Sequence, residues 1–453
     1  MRVAMIGTGY VGLVSGACFA DFGHHVTCVD KDAGKIASLA RGEVPIFEPG
    51  LSDLVKSNLR DGRLAFSTEL APAVRSADAV FIAVGTPSRR GDGHADLSFV
   101  YAAAREIAAA LNGFTLIITK STVPVGTGDE VERIIREERP DADFAVVANP
   151  EFLREGAAIR DFKLPDRIVV GTRDPRAREG MAEVYRPLYL NAAPLLYTER
   201  RTAELIKYAA NAFLALKITF INEIADLCEK VDADVQEVAR GIGLDNRIGT
   251  KFLHPGPGFG GSCFPKDTLA LIKTGQDHAA PLRLIEAVAA VNDQRKRAMA
   301  RKVSAALGGN IRAKRIAVLG LTFKHNTDDM REAPSIALIT ALHDMGAKVR
   351  AYDPAGMEQA KAVLEDVTYC DSAYACAEDA DALVIVTEWE QFRALDLARL
   401  KKTMARPVVV DLRNIYRPED MARHGFTYVS IGRSAVTQAA QVSLDQALEL
   451  SPA

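Results

Sequence analysis

Short apolar runs alternate with stretches of helical spacing from the first residues of the chain. Residues 2–7 (RVAMIG) form an apolar run of strand length, 11–23 (VGLVSGACFADFG) have helical spacing and end on a glycine, and 25–30 (HVTCVD) are strand-like again. Strand, turn, helix and strand within about thirty residues make a βαβ unit, the opening of a parallel, doubly wound sheet. Further strands are expected at 79–85 (AVFIAVG), 115–121 (TLIITKS) and 144–150 (FAVVANP), with a helix at 99–112 (FVYAAAREIAAALN). The pattern then recurs. RIAVLGLTF (315–323) repeats the first strand, DMGAKVRAYDP (344–354) repeats DFGHHVTCVDK (21–31), and ADALVIV (380–386) repeats ADAVFIAV (77–84). Parallel α/β units look alike even without a shared origin, and either origin leaves two α/β halves.

Between the halves, residues 198–231 contain neither proline nor glycine and are rich in alanine and leucine. They predict one helix roughly 45 to 50 Å long at 1.5 Å per residue, able to connect two domains and to bury a stripe against a second copy. The expected fold is α/β: two Rossmann-like doubly wound parallel sheets joined by a central helical domain with one long helix. A homodimer through that helix is expected.

Composition narrows the function classes. The 453 residues exceed the length at which one hydrophobic core stops growing, and 48% hydrophobic with 25% charged residues is ordinary for a globular protein. A formal charge of −3 and the lack of any basic run argue against a nucleic-acid partner, and no apolar run has the length of a membrane-spanning helix. The apolar N-terminus after Arg2 has the outline of a secretory leader, but spaced glycines and the lack of a convincing cleavage site favour a folded segment. Six thinly spread cysteines are no disulfide framework, so a reducing cytoplasm is expected, and the eight histidines form no zinc spacing with them, so no metal is expected.

The first motif with chemistry is GTGYVG, placing Gly7, Gly9 and Gly12 at the turn between the first strand and helix. Glycine there admits a pyrophosphate close to the backbone, and the helix N-terminus offers it unpaired N–H groups. Asp30 ends the second strand eighteen residues beyond Gly12, where a ribose-binding acid is expected. Such an acid accepts bonds from a ribose diol and repels a 2′-phosphate, so the expected cofactor is NAD. Lys31 and Lys35 blur that preference; Lys31 reads as a surface charge. Thr86 (GTP, 85–87) and Thr122 (KSTVPVGT, 120–127) follow later strands and are candidates to touch the cofactor, although each also suits a turn or cap. In ANPEFLREG (148–156), Glu151 and Glu155 are four apart and would share a face on a helical turn. On the long helix Lys207 and Asn211, also four apart among apolar residues, project from one side and need a ligand, a charge partner, another helix or water to satisfy them.

The most informative stretch is GFGGSCFPKD (258–267). Its glycines allow a ligand to pack on bare backbone, and Pro265 suits the first turn of a helix. Cys263 then lies just upstream of a helix N-terminus and beside Lys266, two features that favour the thiolate. The other five cysteines read as small buried hydrophobes. A nicotinamide enzyme needs a nucleophile only when an aldehyde must lose a second hydride: the thiolate adds to the carbonyl, hydride leaves, and water hydrolyses the thioester. Cofactor motif and thiol together imply a four-electron oxidation of an alcohol to an acid.

These motifs, together with GLTFKHNTDDMRE (320–332), resemble the UDP-glucose 6-dehydrogenase family over residues 1 to about 430. The resemblance implies an NAD-binding domain at 1–195, a central helical dimerisation domain at 196–300 and a UDP-sugar-binding domain at 310–432; residues 433–453 match no motif and are expected to be a mobile tail. It makes Cys263 the nucleophile, with Lys207, Asn211 and Asp267 arranging water and oxyanion, and Thr122 and Glu151 assisting proton transfer. Val11, Asp30, Lys35, Thr86, Thr122, Glu155, Lys266 and Arg331 are implied to line the NAD site. The loop Glu151, Phe152, Leu153, Arg154 and Glu155 would hold the UDP-sugar. So would the loop from Phe252 through Leu253, His254, Pro255 and Gly256 to Gly260, with Lys324. Arg247 resembles an arginine that reaches a neighbouring subunit's site, and Arg413 another on the substrate side. Relatives acting on N-acetylated sugars carry a GHCIPVDP-like pattern and GDP-mannose enzymes GGSCLPKD; Phe264 and the preceding HPGPGFGG lean toward UDP-glucose. GDP-mannose oxidation, a two-electron 3-hydroxyacid dehydrogenase and a non-catalytic nucleotide-sugar binder are the alternatives.

Overall fold

Residues 1–89, 93–191 and 193–435 are described in a computed structural model of the chain. They divide into two compact units, Met1–Asn211 with Leu269–Pro281, and Ala212–Thr268 with the chain from Leu282 onward.

The first unit is built on eight strands: β1 (Arg2–Ile6), β2 (His25–Val29), β3 (Leu64–Ser67), β4 (Ala79–Ile82), β5 (Thr115–Thr119), β6 (Phe144–Ala148), β7 (Ile168–Gly171) and β8 (Leu195–Thr198). Their spatial order is β3-β2-β1-β4-β5-β6-β7-β8. The first six are parallel in the 3-2-1-4-5-6 order of a doubly wound sheet, while β7 joins β6 antiparallel and β8 runs parallel to β7. In β4, β5 and β6 every residue is buried, as expected for strands covered by helices on both faces. Phe19 of the helix Tyr10–Asp21 fills one face, and Val100 and Ile107 of the helix Ser98–Ala110 fill the other. Because these strands run the same way, the segments after Ile6, Val29, Ile82, Thr119 and Ala148 emerge at one edge, which is where the motifs of this half lie.

The second unit holds β9 (Arg315–Leu319), β10 (Lys348–Tyr352), β11 (Val367–Tyr369), β12 (Ala382–Ile385), β13 (Val408–Asp411) and β14 (Thr427–Ser430), all parallel, in the order β11-β10-β9-β12-β13-β14. The repeat seen in the sequence is therefore a repeat of topology. The long helix runs Arg200–Val231 as expected, and a second long helix, Arg283–Ala306, was not anticipated. No helix among the described residues is long and apolar enough to cross a membrane. Most of the tail expected at 433–453 lies outside the described residues, but Arg433 is buried with its guanidinium on Ser430 Oγ, so the chain is still packed there.

Candidate active site

At the turn after β1 the three glycines differ in what they face. Gly7 has φ +100, and a Cβ on it would lie 2.6 Å from Ala83 O; a Cβ on Gly12 would lie 2.0 Å from Gly7 O. These two allow strand and helix to pack closely. A Cβ on Gly9 would meet no described atom within 4 Å, and Gly9 caps the helix Tyr10–Asp21 without a side-chain bond, leaving the helix N–H groups toward open space. That is the geometry a pyrophosphate requires. Val11 lies in the first turn of the same helix.

Asp30 follows β2. Its Oδ2 accepts from Thr8 N (2.9 Å), Thr8 Oγ1 (2.6 Å) and Lys35 Nζ (3.2 Å), while Oδ1 accepts only a 3.2 Å bond from Asp32 N among the described residues. Burial raises its pKa, but the Thr8 and Asp32 bonds and Lys35 outweigh it and hold the carboxyl at about 2. The acid is therefore ionised with one oxygen largely open. Lys31 is exposed on Glu106, a surface charge as expected. Thr86 is buried, and its Oγ1 donates to Thr122 O at 2.9 Å, which joins the two threonine loops.

In the second half Gly320 (φ +88) packs on Thr387 as Gly7 does on Ala83. Asp353 stands where Asp30 does, but is buried. Its Oδ2 accepts from Leu321 N, Thr322 N, Thr322 Oγ1 and Trp389 Nε1, and its Oδ1 from Ala355 N and Gly356 N. That carboxylate has no lone pair left for a ribose, so the dinucleotide fits the first half alone.

Glu151 and Glu155 do not share a helical face. Residues 151–154 are irregular and the next helix starts at Ala158, because Glu48 holds the loop by accepting from Gly156 N (2.6 Å) and Ala158 N (2.8 Å). Tyr10 OH donates to the same Glu48 carboxylate. Arg154 pairs with Asp161. Glu151 turns inward and meets Lys207 at 3.0 Å, with the two side chains 4% and 3% exposed. Glu151 also accepts from Leu153 N at 2.6 Å. Burial raises its pKa, yet Lys207, that bond and Lys120 bring it below the usual carboxylate value. Lys207 thus has a charge partner in Glu151. The Phe152 ring lies 5.4 Å from Lys207 Nζ and 3.8 Å from the Arg167 guanidinium.

Sequence reasoning missed Lys120, which is fully buried after β5. Its Nζ donates to Asn149 Oδ1 and Tyr185 OH, both at 3.1 Å, and burial lowers its pKa to about 8 against the pull of Glu151. Thr122 and Lys207 line one pocket with Ser121, Pro150 and Glu204.

In the second unit Cys263 is the N-cap of the helix Phe264–Asp277: its carbonyl accepts from Asp267 N at 2.8 Å. It is half-buried with Ser262 Oγ 3.5 Å from its sulfur, whereas the other five cysteines are buried and no disulfide joins any of the six. The neighbouring Cys376 thiol and Arg350 nonetheless lower the pKa of Cys370 to about 6 against its burial. Lys266 donates to the buried Asp267 carboxylate at 2.7 Å, so its charge is directed to that acid.

The glycines around Cys263 face protein. A Cβ on Gly260 would lie 2.2 Å from Glu332 O, and one on Gly261 (φ +86) 2.7 Å from the Phe323 ring; Gly258 (φ +116) lies against Asn292. The expectation that these glycines bare the backbone to a ligand is corrected: they let the thiol loop dock on residues 323–333. The loop is pinned by groups the sequence did not reveal. Asn292 bonds both Phe259 N (2.8 Å) and Phe259 O (3.0 Å), Asn222 Oδ1 accepts from Gly256 N, and Arg295 Nε donates to Gly256 O. Upstream, Phe252 has φ +64, Leu253 and Pro255 are buried, and His254 is exposed. A Cβ on Gly256 would meet Arg413 Nη1 at 3.0 Å, so two predicted substrate residues come together. Arg413 pairs with Glu388 at 3.0 Å; burial opposes the ionisation of that acid, but Arg413 and His325 hold it at about 2. Lys324 Nζ is 5.1 Å from the Phe323 ring, Arg331 is on Asp329, and Arg247 is exposed on Asp245.

A dinucleotide half carrying a buried lysine and carboxylate at its strand edge, in a chain with one half-exposed thiol, defines an oxidoreductase that works with a nicotinamide cofactor. Comparison with known proteins agrees. The UDP-glucose/GDP-mannose dehydrogenase family matches through its NAD binding domain at residues 1–189, its central domain at 201–294 and its UDP binding domain at 317–418. The chain is 70% identical over 435 residues to the UDP-glucose 6-dehydrogenase of Rhizobium meliloti (strain 1021), covering 96% of this chain and 100% of that protein. It is 48% identical to the UDP-glucose 6-dehydrogenase TuaD of Bacillus subtilis (strain 168), covering 96% and 94%. The solved structure of a UDP-glucose dehydrogenase from Pyrobaculum islandicum superimposes with a TM-score of 0.88 at 40% identity, covering 95% of this chain and 98% of that one. The chain belongs to the UDP-glucose/GDP-mannose dehydrogenase family, and is an NAD-dependent oxidoreductase.

Proposed function

We propose that this chain oxidises UDP-glucose to UDP-glucuronate, consuming two NAD and one water, through a thiohemiacetal and a thioester on Cys263. The observation that carries the reading is the placement of Cys263: alone among six cysteines it is not buried, and it caps a helix whose N-terminal N–H groups favour a thiolate. The 70% identity to a UDP-glucose 6-dehydrogenase supports UDP-glucose over GDP-mannose.

NAD, when bound, accepts a hydride in each of the two oxidations. Gly9 and the helix N-terminus behind it hold the pyrophosphate, Asp30 takes the ribose diol, and Thr86, Glu155, Lys266 and Arg331 complete the contact. In the first oxidation, the hydroxyl proton passes to the Glu151 carboxylate, with Thr122 assisting its transfer, as the alcohol becomes an aldehyde. Cys263 Sγ then bonds to the aldehyde carbon, and Lys207 and Asn211 stabilise the oxyanion. Loss of hydride from that carbon leaves the thioester. Water, oriented by Asp267, adds to it and gives up a proton to solvent; the C–S bond breaks, its electron pair returns to sulfur and the acid is released. Two electrons leave in each oxidation, four in all. The loop at 252–260 with Lys324, Arg247 and Arg413 holds the nucleotide sugar.

In this reading residues 1–195 bind NAD, 196–300 dimerise and 310–432 bind the UDP moiety. Phe213, Phe220, Leu227 and Val231 lie 46–60% exposed along one helix at intervals of seven and four, a stripe suited to a second copy in a homodimer. A thiol that must stay reduced suits the cytoplasm.

The test is the NADH formed per UDP-glucose consumed. Two supports the proposal; one points to a simple alcohol dehydrogenase; none, with UDP-glucose bound, points to a binding protein. The same assay with GDP-mannose decides between the sugars. Cys263→Ser should abolish the second oxidation with NAD affinity nearly unchanged, and full turnover by that variant ends the thioester mechanism.

A further inference from the structure

Three residues before Lys207 on the same helix, Glu204 is buried, and no step above uses it. Its Oε2 accepts from Gly126 N at 2.6 Å and its Oε1 from Gly128 N at 2.7 Å. Gly126, at φ +96, caps the helix Thr127–Glu138 and has no side chain to satisfy the first amides, so an acid from a different helix does so. Gly128 leaves just enough room, since a Cβ there would lie 3.1 Å from Glu204 Oε1. The loop fixed in this way carries Thr122 at its other end, and Thr122, Glu204 and Lys207 line the same pocket.

We propose that Glu204 is a positioning residue: by bridging the amides of Gly126 and Gly128, it holds the loop that carries Thr122 against the helix that carries Lys207. The inference rests on the reading that Thr122 and Lys207 serve the oxidation. Burial raises the Glu204 pKa to about 7 even though both amides favour the charged form. The charged and titratable groups around it are Asp129 on the capped helix, Arg200, Arg201 and Lys207 on its own helix, and Tyr101 on the helix Ser98–Ala110. Once protonated, the carboxyl keeps one good acceptor, and one of the two amides loses its partner. The clamp therefore loosens as pH falls through neutrality.

Hydrogen–deuterium exchange over residues 122–130 of the full chain, corrected for intrinsic rates, reads the clamp without turnover. Wild type should exchange there about tenfold faster near pH 6 than near pH 8. Glu204→Gln should exchange fast at both pH values, Glu204→Asp should resemble it because the shorter side chain cannot span both amides, and both should lower kcat/KM for NAD about tenfold. Exchange of Glu204→Gln near pH 8 at the wild-type rate overturns the proposal, as does lost turnover with exchange near pH 8 unchanged, which would give Glu204 a direct chemical role. Should Glu204→Gln fail to fold, pH-independent exchange in wild type is sufficient to overturn it. NADH yield tests the oxidation separately, so failure of that reading and failure of the clamp are distinguishable.

Discussion

Replacing Lys207 with methionine keeps most of the side chain's bulk and removes its charge, which breaks the ion pair to Glu151. The pair is 3.0 Å long with both side chains almost wholly buried. Removing one partner of a buried pair costs about 3–5 kcal/mol, because the other charge is left uncompensated. Glu151 keeps its bond from Leu153 N and the field of Lys120, which puts the expected cost near the lower end, about 3 kcal/mol. For a unit of this size that is a fall in Tm of about 6–12 °C. The sign of its pH dependence follows from Glu151. In wild type its pKa lies below the usual 4.5, so its contribution is present above the unfolded value and is lost only as pH falls through the folded one. Without Lys207, burial dominates and lifts the folded pKa above the unfolded value, so the variant loses stability as pH rises. The penalty should therefore be small near pH 5 and full near pH 8 by calorimetry. An equal penalty at both values, or one under about 1 kcal/mol at pH 8, refutes the reasoning. The variant should also lose about 10²-fold in kcat; a change confined to KM would assign Lys207 to ground-state binding.

Gly9→Ala and Gly12→Ala separate ligand space from packing space. A methyl at Gly9 meets no described atom within 4 Å, so Tm should be unchanged while calorimetric NAD affinity falls about tenfold or more; a methyl at Gly12 strikes Gly7 O at 2.0 Å and should lower both. Unchanged NAD affinity in Gly9→Ala would remove the pyrophosphate from this turn. Asn292→Ala strips partners from both Phe259 N and Phe259 O and should cost about 2–4 kcal/mol, with an altered rate of Cys263 alkylation by iodoacetamide. Wild-type Tm and alkylation rate in that variant would show that the thiol loop holds its shape without the asparagine.

What the sequence revealed and what it hid divide along a physical line. Strands β1, β2, β4, β5 and β6 were legible because each is a run of apolar residues bounded by turn chemistry, and the place of Cys263 just before a helix was legible because Pro265 follows it. The Glu151 partner of Lys207 was hidden because the two residues are 56 positions apart and meet only through the sheet edge. Asn222, Asn292 and Arg295 were hidden because they grip backbone groups, which carry no side-chain signature in the loop they hold. The glycines of GFGGSC were seen but misread, since sequence does not say whether the bare face of a glycine meets a ligand or the protein's own Glu332 and Phe323.

The two halves make the same point with an internal control. Each follows its first strand with a positive-φ glycine and its second with an aspartate, but Thr322 and His325 stand in the second half where Gly9 and Gly12 stand in the first. A second difference lies in what surrounds the acid. Trp389 Nε1, Leu321 N and Gly356 N are donors to Asp353 with no counterpart among the bonds to Asp30, raising the count at Asp353 to six and leaving Asp30 with one weakly engaged oxygen. A carboxylate already surrounded by donors stabilises its own turn, and one with an open oxygen recognises a ribose. The same fold thus suits a dinucleotide in the first half, where the turn keeps Gly9 bare and the acid keeps an oxygen largely open.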